Sequence, residues 1–287
     1  MITIEKILKE AVGRLKTKVS TPLLDAQVIL CHILKVDRLY LIVNKDRVLT
    51  HKQILEYKGL IQKRACGVPV QYITGIQEFM GLEFYLEEGV LIPRPDTEIL
   101  IEKILDSIDE NDKYNIIDIG TGSGAISVSL AKYVQNSYIY SIDISQKALD
   151  IARINAVKNN VLPKINFLKG SLFEPLENIN LLERIDILVS NPPYIPTEDI
   201  DTLQIEVSKF EPRLALDGGE DGLDFYRVII DKAPVYLKNN GLIALEVGHD
   251  QAQRVVKLME EKKKYVDIEI TKDLAGIERV VSARIKL

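Results

Sequence analysis

Little in this sequence suits metal or thiol chemistry. Its three histidines, His32, His51 and His249, are scattered, and its two cysteines, Cys31 and Cys66, lack metal-like spacing. The expectation is no metal site, with both cysteines serving as structural thiols in a reducing cytoplasm. No apolar run is long enough to span a bilayer. The opening residues "MITIEKILKE" mix charges of both signs into an apolar rhythm, unlike a signal peptide. A cytoplasmic protein with no membrane partner is expected. Gly/Ser linkers, low-complexity tracts and repeats are also missing, so 287 residues allow one large domain, or a main domain with a smaller companion.

What is present is 46% hydrophobic residues, enough for a substantial core, and 28% charged residues for the surface. The net charge of −5 conceals an asymmetry. Residues 1–70 hold 13 lysines and arginines against 6 aspartates and glutamates, a net of +7, and the remainder carries a net of −12. A basic front piece on an acidic body suggests that the front piece meets an acidic partner, with Lys45, Arg47, Lys58, Lys63 and Arg64 among its contacts. A solvated helical surface would give the same count.

Hydrophobic periodicity divides the chain in three. In residues 1–69, Ile4, Ile7, Leu8, Ala11 and Leu15 share a helical face, "STPLLDAQVILCHILK" starts with Ser20 or Thr21 as cap and Pro22 in the first turn, and "HKQILEYKGLIQKRACG" ends at Gly67. A small helical bundle is predicted. Residues 70–92 turn to short aromatic and β-branched pieces, "VQYITG", "FMGLEFYLE" and "GVLI", read as strands of a β-hairpin linker. From residue 93 to 287 a helix capped by Asp96 or Thr97 precedes alternating strands and helices, with strands at 115–119, 138–143, 165–169, 185–190 and 242–247. At the end, "YVDIEIT" and "RVVSARI" are separated only by "KDLAGIE". No crossover helix fits there, so these strands pair antiparallel. The expected fold is α/β, a Rossmann-like seven-stranded sheet with an antiparallel last strand, as in class I methyltransferases.

Two loops carry the chemistry. "IIDIGTGSGAISVSLA" puts Asp118 at the end of the first parallel strand, followed by Gly120, Thr121, Gly122, Ser123 and Gly124. The spacing G-x-G-x-G differs from the dinucleotide fingerprint. A loop that opens with a carboxylate suits a cationic ligand better than a diphosphate, and S-adenosylmethionine, with a sulfonium and an ammonium, fits. Asp143, at the end of the second strand, is placed to accept both hydroxyls of a ribose. An ordinary strand–helix turn with Asp143 as a helix cap is the plain alternative.

The second loop is "ILVSNPPYIP", in which a buried strand stops at Asn191. If the sheet order reverses beside the first strand, that strand and the fourth are neighbours, and the glycine loop faces Asn191 across one cavity. An amide or ring NH2 is a poor nucleophile because its lone pair is delocalised. The Asn191 side-chain oxygen and the Pro192 carbonyl suit its two hydrogens, while Pro193 biases the backbone and Tyr194 offers a flat face. Both hydrogen bonds strengthen as positive charge grows on the attacking nitrogen. The resulting cation is acidic enough to lose its proton to water, so no strong base is required. Such a loop serves adenine in DNA, guanine in RNA and glutamine in protein, and alone does not separate them.

The chain resembles the HemK/PrmC family of release-factor glutamine methyltransferases almost end to end. The likeness rests on "VPVQYITGIQEFMG", "VLIPRPDTE", "DIGTGSGAI", "SNPPYI", "EPRLALDGGEDGLDFYR", "EVGHDQ" and "DLAGIERVV". It implies methyl transfer from S-adenosylmethionine to the glutamine side chain of the Gly-Gly-Gln tripeptide of class 1 peptide-chain release factors, with no stable nucleic-acid partner. Carried over, Asp118, Gly120 to Gly124, Asp143, Ser171, Leu172 and Asn191 hold the cofactor, and Asn191, Pro192, Pro193 and Tyr194 hold the glutamine. Arg94 and Glu98 in "PRPDTE" line the substrate mouth, or else form a surface ion pair. Asp217 and Asp221 are expected to shape their loop. The family shows Asp-Trp-Phe after its third strand, where this chain has Ser171 and Leu172, which puts cofactor affinity in doubt. The competing reading is a nucleic-acid amino-group methyltransferase, for which no basic and aromatic target-recognition region is visible.

Overall fold

The computed structural model describes every residue except 110. In chain order its elements are α1 (Ile4–Leu15), α2 (Pro22–Leu34), α3 (Arg38–Val43), α4 (His51–Ala65), α5 (Val70–Thr74), β1 (Ile76–Phe79), β2 (Leu82–Tyr85), α6 (Asp96–Asp106), β3 (Tyr114–Ile119), α7 (Ala125–Tyr133), β4 (Ser137–Asp143), α8 (Gln146–Lys158), β5 (Ile165–Lys169), β6 (Ile185–Ser190), α9 (Ile205–Phe210), α10 (Asp224–Tyr236), β7 (Leu237–Glu246), α11 (Ala252–Lys262), β8 (Tyr265–Lys272) and β9 (Glu278–Ile285), with short 3-10 turns between some of them. They fall into two units. One comprises Met1–Ile76 together with Gln204–Phe210, and the other Gln77–Leu203 with Glu211–Leu287.

The first unit is built on a helical bundle. Ile4, Ile7, Ala11 and Leu15 of α1 are buried against Ala26, Ile29 and Leu30 of α2 and Tyr57 and Ile61 of α4. Thr50 and Gln53 form a reciprocal capping box at the start of α4, satisfying two orphan N–H groups. The Tyr57 hydroxyl donates to the Ala26 carbonyl at 2.9 Å. Residues 70–74 depart from the sequence reading. "VQYIT" is a helical turn, not a strand, because Val70 and Ile73 lie one helical turn apart and both pack on the bundle core. Gly75, at φ +74°, ends the turn in the left-handed conformation. Arg64 is a second correction. It is 2% exposed, so it does not present charge to a partner. Its Nε donates to Asp25 Oδ2 at 2.6 Å and its Nη2 to Glu206 Oε1 at 2.5 Å.

In the second unit the hairpin forms as β1 and β2, turning at Met80 and Gly81, both of which take positive φ. The main sheet has seven strands in the order β5-β4-β3-β6-β7-β9-β8. Strands β3 to β7 pair in parallel, and β9 is antiparallel to both β7 and β8. The antiparallel pair expected from the short "KDLAGIE" connection is therefore present. Both faces of β3 and β6 are largely buried, in keeping with apolar stretches such as Ile187 to Val189. Ile116, Ile187 and Val189 join α6, α7 and α8 in one core, whereas Ile117, Ile119 and Leu188 join α10 and α11 in the other.

Helix α6 has neither cap expected of it. It starts at Asp96 behind Pro95, with no side-chain capping bond, and Thr97 is buried instead. No helix among the described residues is long and apolar enough to cross a membrane.

The Arg64 network gives a stability prediction. Arg64→Ala leaves the Asp25 carboxyl, itself 3% exposed, with only the Thr21 hydroxyl at 2.8 Å among the described residues. Breaking one side of such a buried pair costs about 3–5 kcal/mol. Chemical denaturation of the first unit should show a loss in that range, and a loss under about 1 kcal/mol would mean the pair is dispensable.

Candidate functional site

The sheet order reverses at β3, which pairs with β4 on one side and β6 on the other. Asp118 stands opposite Ser141 and Val189, and Ile119 opposite Ile142 and Ser190. The three strands therefore release their loops at one level, and a cleft opens beyond their carboxyl ends, as switch points allow. Its walls include Gly120 to Ser123, Asp143, Ser171, Leu172, Asn191 to Pro193, Arg94 and Thr97. Among the lining residues Asp143 and Arg94 are the charged ones.

Asp118 itself lies behind the wall, fully buried. Its Oδ2 accepts from the Thr121 hydroxyl at 2.8 Å and the Ser127 hydroxyl at 2.5 Å, which fixes the glycine loop from beneath. Its Oδ1 has no hydrogen-bond partner among the described residues. Burial pushes the Asp118 carboxyl up to about 6, against the lowering effect of those two hydroxyls. Asp143 joins the loop to β4, because its Oδ2 accepts from the Gly122 N–H and its Oδ1 from the Ser145 N–H, each at 2.8 Å. Ser145, not Asp143, is the N-cap of α8. Burial raises the Asp143 carboxyl as well, while backbone N–H groups pull it back.

The glycines divide by role. At Gly122, φ +55°, a Cβ would meet open space, so the missing side chain leaves the backbone bare toward the cleft. At Gly124 a Cβ would lie 2.9 Å from the Ala152 Cβ, so this glycine allows α7 to pack on α8 and is not part of the wall.

These features fit S-adenosylmethionine. Each Asp143 oxygen keeps lone-pair capacity for a ribose hydroxyl after accepting one backbone N–H. Asp118 brings an unpartnered buried oxygen under the loop, and Val90, Leu91 and Leu172 supply apolar wall. Leu172 adopts φ +49°, uncommon for a branched side chain.

Asn191 sits just beyond β6. Its Nδ2 donates to the Thr97 hydroxyl at 3.2 Å. The following backbone is held from outside. The Ile195 N–H donates to the Leu216 carbonyl at 3.0 Å, the Gly218 N–H to the Ile195 carbonyl at 2.8 Å, and Gln251 Nε2 to the Tyr194 carbonyl at 2.8 Å. A Cβ at Gly222 would fall 2.4 Å from that same carbonyl, which explains a glycine there. Asp217 accepts from the Thr197 hydroxyl at 2.6 Å and Asp221 pairs with Arg227 and Arg254, both at 2.6 Å, so each shapes its loop.

Two expected substrate contacts lie elsewhere. The Tyr194 ring is not among the lining residues. It packs against the core that holds α10 and α11, and burial raises its phenol to about 12. Glu98 is also outside the wall, and its Oε1 accepts from the Met80 N–H at 2.6 Å, bracing the hairpin turn. Arg94 does line the cleft, and pairs with buried Glu211 at 2.5 Å rather than with Glu98. Sequence reasoning missed Thr97 and Glu246. Glu246 ends β7, is 2% exposed, and has no hydrogen-bond partner for its Oε2 among the described residues. Burial pushes it up to about 7, opposed by hydrogen bonding from Thr97 and Asn191. Only their presence in "PRPDTE" and "EVGHDQ" marked them in the sequence.

Comparison with known proteins is consistent along the chain. A family profile described as PrmC N-terminal domain matches residues 6–75, and one described as methyltransferase domain matches residues 110–280. The release factor glutamine methyltransferase of Clostridium acetobutylicum is 44% identical over 260 residues, 90% of each chain. That of Geobacter sulfurreducens is 41% identical over 284 residues, 99% of this chain and 97% of its own. Among solved structures, a methyltransferase from Pyrococcus furiosus superposes with a TM-score of 0.50 at 17% identity, covering 72% of this chain and 91% of its own, a likeness of fold.

Glu246 gives a pH prediction. A carboxyl whose pKa is raised in the fold binds more protons folded than unfolded between the two values, so its contribution is favourable at low pH and lost as pH rises through about 7. The span from an ordinary 4.5 to about 7 is worth on the order of 3 kcal/mol. Thermal unfolding of Glu246→Gln and the parent should show the variant gaining relative stability from about pH 5 to about pH 8. A constant difference would mean that Glu246 ionises normally.

Proposed function

The chain belongs to the family of release factor glutamine methyltransferases, and from that premise we propose that it methylates the side-chain nitrogen of the glutamine in the Gly-Gly-Gln tripeptide of class 1 peptide-chain release factors. The observation that carries the reading is the hydrogen bond from Asn191 Nδ2 to Thr97. With its NH2 engaged there, the amide keeps Oδ1 as its acceptor for a substrate NH2.

S-adenosylmethionine, when bound, supplies the methyl group from its sulfonium centre. Asp143 is assigned to the ribose hydroxyls, the bare backbone at Gly120 and Gly122 to close approach of the ligand, and Ser171 and Leu172 to its adenine side. Asn191 Oδ1 and the Pro192 carbonyl each accept one hydrogen of the target amide, which turns the nitrogen lone pair out of conjugation and toward the methyl group. As the nitrogen becomes positive, both acceptors bind it more tightly, so they stabilise the transition state more than the ground state. The nitrogen would gain the methyl carbon as the carbon–sulfur bond breaks, with S-adenosylhomocysteine as the product, and its surplus proton leaves to water. Arg94 and Pro193 are assigned to the rest of the tripeptide's path. Tyr194 is assigned a supporting role, since its ring packs in the core and its carbonyl is bound by Gln251.

We also assign recognition of the release factor's body to the basic front piece, residues 1–69, and methyl transfer to residues 93–287, with the β1–β2 hairpin between them. Lys58 is compensated by Glu10 at 3.2 Å, and Arg47 lies over the Tyr40 ring, which leaves Lys45 and Lys63 as the exposed charges best suited to steering.

Methyl transfer from labelled cofactor to release factor, to Gly-Gly-Gln peptide, to RNA and to DNA tests the reading directly. Label on release factor and peptide alone is expected, and label on nucleic acid alone overturns the proposal. Asn191→Ala should lower kcat about a hundredfold or more, by analogy with removal of one oxyanion-hole donor, with little change in cofactor affinity. Wild-type turnover would dismiss the mechanism. Lys45→Glu with Lys63→Glu should reduce kcat/KM for intact release factor severalfold at low salt but not at high salt, because exposed charges are screened beyond about 8 Å at physiological ionic strength. The peptide should be methylated as before, and equal losses on both substrates would remove the bundle from recognition.

A further inference from the structure

The Asn191 amide can present either of two groups to the cleft, and only one is productive. With Oδ1 toward the substrate it accepts a hydrogen. Turned over about its side-chain axis it presents NH2 to NH2, and no hydrogen bond forms. What selects the orientation is the partner on the far side. Here that partner is the Thr97 hydroxyl, which accepts from Asn191 Nδ2. A hydroxyl has one proton and can point it either way. If Thr97 aimed its proton at Asn191, the amide oxygen would face Thr97 and the NH2 would face the cleft.

Behind Thr97 stands Glu246, buried at the end of β7 with no hydrogen-bond partner for its Oε2 among the described residues, and hydrogen bonding from Thr97 and Asn191 favours its carboxylate. No part of the proposed methyl transfer uses it. We propose that Glu246 is a positioning residue that sets the polarity of Asn191, both by its own interaction with that amide and through Thr97, so that its ionised form holds the enzyme in the methylating state. The inference rests on the reaction proposed above and adds a control to its acceptor. A carboxylate only accepts, so it takes a hydrogen bond from the Thr97 hydroxyl. Thr97 then has only lone pairs to offer, and Asn191 must donate to it, which leaves Oδ1 for the glutamine. A protonated Glu246 reverses the chain. It donates a hydrogen bond to the Thr97 oxygen, the Thr97 hydroxyl turns to donate to Asn191 Oδ1, and the amide turns over.

The surroundings place this exchange near neutrality. Burial is the largest influence on Glu246 and favours the acid. Asp96, from α6, acts in the same sense, whereas Arg279, from β9, favours the carboxylate. Arg279 is itself tied to Asp96 at 2.8 Å and Asp273 at 2.9 Å, which limits what it offers Glu246. Tyr194 adjoins the group electrostatically and stays neutral, its phenol raised to about 12.

The test compares the full chain with Glu246→Gln, Thr97→Val and Thr97→Ser, using release factor and saturating S-adenosylmethionine between about pH 5.5 and 8.5. In the parent, kcat should rise with an inflection near 7. Glu246→Gln should lose that inflection, since glutamine cannot change charge. Thr97→Val should lose about tenfold or more in kcat with cofactor affinity within about twofold. Thr97→Ser should keep both the rate, within about threefold, and the inflection. Titration of Asp118 and Asp143 is common to all four and cancels in the comparison. An unchanged inflection in Glu246→Gln, or parental turnover in Thr97→Val, overturns the proposal. If the parent methylates no release factor at any pH, the reaction assigned above fails, and the polarity of Asn191 is still measurable. The side-chain NH2 resonance that disappears in Asn191→Ala should shift with a midpoint near pH 7 in the parent and remain still in Glu246→Gln. The same titration in both proteins refutes the control without reference to any substrate.

Discussion

The pairing of β3 with β4 on one side and β6 on the other is the constraint on which the site depends. Parallel strands in register deliver their ends to the same height, and the reversal of order keeps any helix from covering the gap between them. The glycine loop, Asp143 and Asn191 come from positions far apart in the chain, yet none needs a special device to reach the others. The local work is to hold each loop once delivered. Asp118 and Asp143 do this on the β3 and β4 side with hydroxyl and N–H donors, and Gly218, Gly222 and Gln251 do it around the backbone after Asn191.

Much of this was legible beforehand. The strands of the sheet follow from short apolar runs, and their parallel order from the helices between them. The antiparallel end follows from a connection too short for a crossover. Asp143 and Asn191 were visible because they terminate strands. What was not legible depends on contacts between distant segments. "VQYIT" carries strand-like residues, but Val70 and Ile73 find the bundle core at helical spacing. Arg64 reads as one more surface charge until Asp25 and Glu206 enclose it. Thr97 reads as a cap and Tyr194 as a substrate platform, since both roles are local and sequence reasoning sees local roles first. Glu246 was invisible as chemistry because its role depends on Thr97 and Asn191, which the fold brings to it from distant segments.

Carboxyls recur around this cleft, Asp118 and Glu246 buried outside its lining and Asp143 half-buried in its wall. Asp118, Asp143 and Glu246 all sit with raised pKa values for the same leading reason, removal from water. Each is stabilised by a different donor set: hydroxyls for Asp118, backbone N–H groups for Asp143, and a side-chain pair for Glu246. A site for a cationic ligand and a neutral amide thus keeps its negative charge close but poorly solvated, where its interaction with positive charge is strengthened by the low local dielectric.

The allocation of Gln204–Phe210 to the first unit bears on the order in which the protein is made. Arg64 precedes its partner Glu206 by 142 residues. On a ribosome the bundle emerges early, with Asp25 in place and the other carboxylate still unsynthesised. The first unit therefore completes its fold only after β3 to β6 have left the tunnel, and its last stabilising contact reports that the strand leading to Asn191 already exists.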